Sequence, residues 1–376
     1  MSGKYYGGDR SPERVCRKLM SWPQADRQFW LTSLEPRDLV DAGDSRCRYR
    51  EVSNRKTEKG YGRWLTFLDR QGKLDGAPAD RITPSAVAQY VQELRSLGNG
   101  SYSILSRLQE LYEAARVMDT KRDWSWIRRV ACRVRYRHVP VRDKGPKLVG
   151  TDVLLDLGLH LINSAEALPN DCKRALTFRD GLIVALLSLR PLRPRNLAAL
   201  TLDRHLEKTG DTWVVHIAPE ETKTGTPLEF PWPEMLVPAL QTWLGRWRPM
   251  LCSRTGRWAR DAEKALWISC DGSRMTKRGI YERVVRVTTE AFGVAINPHL
   301  FRDIAATTIA YADPERFRIA AQLLGHRRFA TTEKYYLQAS VAAANRRRQA
   351  SLLAIRRSRK SDLTSATQFA LAGKPR

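Results

Sequence analysis

Acidic side chains are in short supply in this chain of 376 residues. Asp and Glu number 40 against 65 Lys and Arg, which leaves a formal net charge of +25 and a pI of about 10.2. Cysteine is scarce and scattered: Cys16, Cys47, Cys132, Cys172, Cys252 and Cys270 include no C-x-x-C pair. That spacing supports neither a disulfide framework nor a zinc module, and reduced thiols in a cytosolic protein are the expectation. No run of eighteen apolar residues occurs, so no hydrophobic helical span is expected. The longest apolar stretch, Gly181 to Leu189, has the length of a buried helix segment. Met1 to Arg10 lacks the apolar centre of a signal peptide. Cytoplasmic, nucleoid-associated residence follows as an expectation, with no membrane partner.

What is present points to a polyanion. A strongly basic protein meets phosphate backbones by releasing their condensed counterions. The hydrophobic fraction of 42% and the 11 tryptophans exclude a disordered basic tail, which lacks such apolar content. The length allows two or three domains with their own cores.

Residues 1–47 are polar and weakly periodic, an extension without visible chemistry, although Trp22, Phe29, Trp30 and Leu31 are suited to docking a short helix. Residues 48–138 carry helical periodicity. Tyr61, Trp64, Leu65 and Leu68 make one apolar face, and Val87, Tyr90, Val91 and Leu94 make another. Thr83-Pro84 reads as an N-cap followed by proline in the first turn, and Gly98 reads as a helix stop. A third stripe, Leu105, Leu108, Leu111 and Tyr112, follows Ser101 or Ser103. The segment Trp124 to Arg137 is basic, with Arg128, Arg129, Arg133, Arg135 and Arg137. Residues 139–150 have two prolines, two glycines and no helical period; they read as a linker bearing Arg142, Lys144 and Lys147. These eight cations are the candidate DNA-contacting residues.

Residues 151–340 are mixed. Helical patterns over Asp152–Ala167 and Cys172–Leu189 precede two strand-like runs, Trp213–Ile217 and Pro227–Phe230, joined by the Gly-containing turn Glu221-Thr-Lys-Thr-Gly225-Thr. Helices return around Pro233–Trp247 and Lys277–Phe292. Residues 341–376 form a basic tail around Leu352-Leu353-Ala354-Ile355.

Between Pro298 and Tyr336 the chain gathers His299, Arg302, His326 and Tyr335. Arginine binds phosphate through a permanently charged fork, and tyrosine serves as a covalent nucleophile. The combination points to phosphoryl transfer through a phosphotyrosine. His299 and Arg302, three apart on a helix, share a face. His299-Leu-Phe-Arg302, Leu324-Gly325-His326 and Thr331-Thr332-Glu-Lys-Tyr335, nine residues beyond His326, resemble in order and spacing the tyrosine recombinases, phage-integrase-like and Xer-like, over roughly residues 48–340.

The resemblance implies a mainly α fold with a small antiparallel β-sheet: a helical core-binding domain plus a catalytic domain, forming a C-shaped clamp on DNA. Pro191-Leu192-Arg193-Pro-Arg-Asn196-Leu197-Ala-Ala-Leu200 resembles the family's Gly-Leu-Arg-x-x-Glu-Leu-x-x-Leu. It places the first arginine at Arg193, with Arg190 and Arg195 as alternatives; Pro191 and Asn196 replace the family's glycine and glutamate. Thr222-Lys223-Thr224-Gly225 resembles the segment carrying the family's general-acid lysine. The implied catalytic set is therefore Tyr335 as nucleophile with Arg193, Lys223, His299, Arg302 and His326. Asp303 stands where many relatives have histidine and reads as scaffold.

The implied activity is site-specific recombination by integrase or transposon-type strand exchange through a 3′-phosphotyrosine and a Holliday junction, without metal, nucleotide or other cofactor. The implied partner is double-stranded DNA bearing specific sites, bound by a homo-tetramer with a dimer per site, and the 341–376 tail is a candidate for exchange between protomers. Relaxation of the type IB topoisomerase kind and DNA binding without chemistry are the alternatives.

Overall fold

The computed structural model describes residues 13, 15–35, 51–136, 149–254 and 259–312. The chain is mainly helical with one small antiparallel sheet, and it divides into two units, Met1–Asp143 and Lys144–Arg376.

The first unit is built from α1 (Gln24–Leu34), α2 (Glu51–Arg70), α3 (Pro84–Ser96), α4 (Ser101–Met118) and α5 (Ser125–Tyr136). The apolar stripes of α2, α3 and α4 meet in one core that holds Tyr61, Trp64, Leu65, Leu68, Tyr90 and Leu108. Each such side chain removed from water contributes about 1.5–3 kcal/mol. Trp22 and Trp30 belong to the same core, so the segment around α1 is part of this bundle. A buried polar contact fastens it there: the Asp26 carboxylate accepts from the Tyr61 hydroxyl and from the Arg81 guanidinium. Thr83 caps α3, its hydroxyl accepting from the Ala86 amide at 3.2 Å. Gly98, at φ +72°, carries the chain away from the end of α3 in a conformation that costs glycine little.

The second unit is organised around α7 (Asp171–Leu189), whose residues 178–188 are all buried. Before it run α6 (Thr151–Ser164) and a 3-10 turn, Ala165–Ala167; after it comes the short α8 (Pro194–Ala199). α6 and α7 cross closely because two glycines face each other. A Cβ on Gly158 would lie 2.6 Å from the Ala185 amide nitrogen, and one on Gly181 would lie 2.7 Å from the Gly158 carbonyl.

The sheet has order β1-β2-β3, from β1 (Leu206–Thr209), β2 (Thr212–Ile217) and β3 (Leu228–Pro231), all antiparallel. β2 and β3 overlap the two strand-like runs. β1 was not anticipated: it is an edge strand with only Leu206 buried, so it has no alternation to read. Then follow α9 (Val237–Thr242), a π-helical stretch at Trp243–Trp247 and α10 (Arg248–Cys252), where one helix had been expected from Pro233 to Trp247. α11 (Ala259–Lys264), α12 (Lys277–Phe292) and α13 (Pro298–Ala312) complete the described elements. Trp243, Trp247 and Trp267 are buried in this core with the α7 leucines.

A buried ionic group ties α7 to α12. Asp180 accepts from Arg179 through Oδ1 and from Arg283 through Oδ2, while Arg179 also donates to the Ile268 carbonyl at 2.6 Å. No helix among the described residues is long and apolar enough to cross a membrane.

Candidate active site

α7 ends where the first catalytic candidates begin. The Arg190 amide donates to the Leu186 carbonyl at 2.7 Å, and the Leu192 amide turns back to the Arg190 carbonyl at 2.7 Å. Arg193 then takes the N-cap position of α8, followed by Pro194 in the first turn. The three arginines of this stretch are placed differently. Arg190 lies with its guanidinium 5.7 Å from the Phe230 ring centroid, against β3. Arg195 is exposed on α8. Arg193 is partly buried, and desolvation pulls its pKa below the usual arginine value. An anion bound beside it would offset that penalty.

Arg302 reaches the same loop from α13: its Nη1 donates to the Pro191 carbonyl at 2.6 Å. One hydrogen bond thus brings the His-x-x-Arg helix within two residues of Arg193, across 111 residues of sequence. Asn297 sets the start of α13, its Oδ1 accepting from the His299 amide at 3.0 Å and the Leu300 amide at 3.3 Å. Asn297 is therefore the capping side chain, and the His299 ring is left for other work.

His299 opens to the surface, yet the protein packed around it disfavours the imidazolium. Its pKa is lowered from the ordinary histidine value by desolvation first, then by Lys277 and Arg302; Asp303 opposes them and Lys223 adds a further lowering. At neutral pH the ring is held neutral, able to accept a proton. The same field places Lys223, Arg302 and His299 in one neighbourhood, although 79 residues separate the sequence numbers 223 and 302.

Lys223 is exposed in the turn between β2 and β3. Its neighbour Thr222 is fully buried and donates from Oγ1 to the Pro219 carbonyl at 2.9 Å, which anchors the turn. Gly225, at φ +67°, supplies the left-handed step that closes it.

Lys277, the first residue of α12 after the Thr276 cap, was not among the candidates. A lysine there opposes the helix dipole, which favours anions at that end. That mismatch is the signal that would have marked it. With Lys223 and Arg302 it brings positive charge to His299, and cations so placed can hold the non-bridging oxygens of a phosphodiester. His326 and Tyr335 lie outside the described residues.

In the first unit Arg128, Arg129, Arg133 and Arg135 are exposed on α5. Arg128 lies 5.6 Å from the Tyr112 ring centroid, over which Arg116 also sits at 5.4 Å, and Arg129 donates to Ser125 Oγ at 2.8 Å. Arg137, Arg142, Lys144 and Lys147 lie outside the described residues. Among the described residues, no group of three or more His, Cys, Asp or Glu is placed to hold a metal ion.

Residues 162–342 match the phage integrase family. Over 102 residues the chain is 36% identical to the tyrosine recombinase XerC of Bifidobacterium longum subsp. infantis, a match covering 26% of this chain and 27% of that protein. Over 105 residues it is 33% identical to the tyrosine recombinase XerC of Pelotomaculum thermopropionicum, covering 27% of this chain and 32% of that protein. The match thus spans under a third of either relative's length. In fold it is similar to the XerH site-specific recombinase crystallised on a palindromic difH substrate as a post-cleavage complex, with TM-score 0.52, 14% identity, and coverage of 89% of this chain and 93% of that one.

Proposed function

With its residues 162–342 belonging to the phage integrase family of tyrosine recombinases, we propose that this protein is a site-specific DNA recombinase of the integrase or transposon type. Tyr335 Oη attacks the scissile phosphorus. The Tyr O–P bond forms as the P–O5′ bond breaks, which leaves a 3′-phosphotyrosine and a 5′-hydroxyl. His299, held neutral, takes the phenolic proton, and Lys223 gives a proton to the departing 5′-oxygen. Arg193, Arg302 and His326 hold the non-bridging oxygens as charge grows on them. The phosphotyrosine conserves the bond energy, so a 5′-hydroxyl from the partner strand reverses the reaction without nucleotide or metal. Strand exchange through a Holliday junction then calls for a tetramer on two sites, and the cations of α5 and of residues 137–147 bind the flanking duplex through phosphates. A role in moving or resolving a mobile element fits this chemistry.

The observation that supports the reading best is the convergence on His299. Arg302, Lys277 and Lys223 all act on it, and Arg302 is hydrogen-bonded to the loop that carries Arg193. The test begins with a binding site selected from random DNA by the full chain. On a nicked duplex bearing that site the wild type should form a denaturant-resistant covalent adduct, and Tyr335→Phe should form none. No adduct from the wild type, or an adduct retained by Tyr335→Phe, overturns the chemistry. A plasmid with two such sites should yield recombinants; relaxation alone would refute the recombinase assignment.

A further inference from the structure

Lys223 stands on an exposed turn, where a lysine is ordinarily mobile. A general acid needs a fixed position, because a displacement of about an ångström costs on the order of 10²-fold in rate. The turn has a fastening that the sequence motifs do not include. His205 precedes β1 and is almost wholly buried, at 3% exposure. Its Nδ1 accepts from the Thr201 amide at 3.2 Å and lies 2.7 Å from the Thr201 hydroxyl. The ring proton therefore sits on Nε2, which faces both carboxylate oxygens of Glu221 at 3.1 Å. Arg204 grips the same carboxylate at 3.2 Å. Glu221 lies two residues before Lys223.

The loop that presents His205 is itself constrained. The His205 amide donates to the Thr201 carbonyl at 3.2 Å, and Asp203 between them takes φ +59°, a left-handed conformation that aspartate tolerates better than most residues. The Leu202 amide is held by the Lys264 carbonyl at 2.8 Å, and the His205 carbonyl receives the His216 amide of β2 at 2.9 Å. This loop directly follows α8, the helix that Arg193 caps. One short segment therefore joins the arginine's helix to the lysine's turn.

We propose that His205 and Glu221 are positioning residues that set the Lys223 ammonium against the leaving 5′-oxygen. The inference rests on Lys223 being the general acid. Its test uses a leaving group that needs no acid. When sulfur replaces the bridging 5′-oxygen of the scissile phosphate, the departing group is a thiolate, whose conjugate acid ionises near pH 8.5 as a cysteine thiol does (about 8.5). Loss of the general acid then costs little.

Adduct formation by the full chain is measured on the oxygen and sulfur versions of the nicked duplex. Lys223→Ala, His205→Ala and Glu221→Ala are compared with wild type. On oxygen, Lys223→Ala should lose about 10²–10⁴-fold, the usual share of a general acid. The other two should lose about 10–10²-fold, the cost of misplacing one. On sulfur all three should return to the wild-type rate. A variant that merely failed to fold would stay slow on both. Glu221, partly exposed and outside the core, gives the test a second route if His205→Ala folds poorly. If Lys223→Ala is rescued by sulfur while His205→Ala and Glu221→Ala stay slow, or if these two cleave the oxygen substrate at the wild-type rate, the positioning role is wrong. If Lys223→Ala itself stays slow on sulfur, the acid assignment fails, and the inference fails with it.

Discussion

Replacing Asp180 with alanine removes the acceptor that two arginines share between α7 and α12. Its Oδ1 receives Arg179 Nε at 3.0 Å and Nη2 at 2.7 Å, and its Oδ2 receives Arg283 Nε at 2.7 Å. Without the carboxylate, Arg179 remains 2% exposed and keeps only the Ile268 carbonyl. Stranding one charge of a buried pair costs about 3–5 kcal/mol. Arg283 is 29% exposed and recovers water, so its half of the group adds at most about 1 kcal/mol. Alanine returns up to about 0.7 kcal/mol through its better helix propensity. The net loss is about 3–5 kcal/mol, which for a unit of this size lowers Tm by roughly 6–20 °C.

Differential scanning calorimetry of the full chain should show the transition of the second unit moving by that amount and the transition of the first staying in place. Adding Arg179→Met to Asp180→Ala removes the stranded charge and should recover more than half of the loss. A shift below about 2 °C, or a double variant no more stable than the single, would refute the reasoning.

Two further outcomes follow from local geometry. Gly181→Ala drives a Cβ to within 2.7 Å of the Gly158 carbonyl and 2.9 Å of the Ile162 amide nitrogen, backbone atoms that cannot rotate away. The clash should outweigh the helix-propensity gain of about 1 kcal/mol and destabilise the second unit by about 1–3 kcal/mol in urea titrations. Lys277→Met removes a positive neighbour that lowers the His299 pKa. A base that must be neutral loses activity as pH falls through its pKa, so raising that pKa moves the acidic limb of adduct formation to higher pH. An acidic limb unchanged in Lys277→Met would separate His299 from the proton transfer.

The helices were legible where one residue's neighbours along the chain decide the outcome. The helix expected around Lys277–Phe292 coincides with α12, because helical patterning is a local property of the chain. Trp124–Arg137 begins one residue before α5, whose described residues run from Ser125 to Tyr136. The Pro233–Trp247 pattern marked the right region but not the π-helical stretch within it, where Trp243 and Trp247 are buried in the core that also holds the α7 leucines. β1 escaped because an edge strand with three exposed residues out of four resembles a loop.

In the candidate site, residue types and their order were visible in the sequence: His-x-x-Arg, the Lys-bearing turn, the arginine after α7, and the histidine and tyrosine beyond. These are spacings along one chain, and a phosphoryl-transfer chemistry constrains them directly. That the His299 helix bonds to the loop carrying Arg193, that His205 meets the carboxylate two residues before Lys223, and that Lys277 acts on His299 were decided only by the tertiary structure. Each depends on contacts across many residues: Arg302 to Pro191, His205 to Glu221, and Asp180 between two helices. Such contacts form only when separate elements pack, and their partners carry no mutual signal in a single sequence.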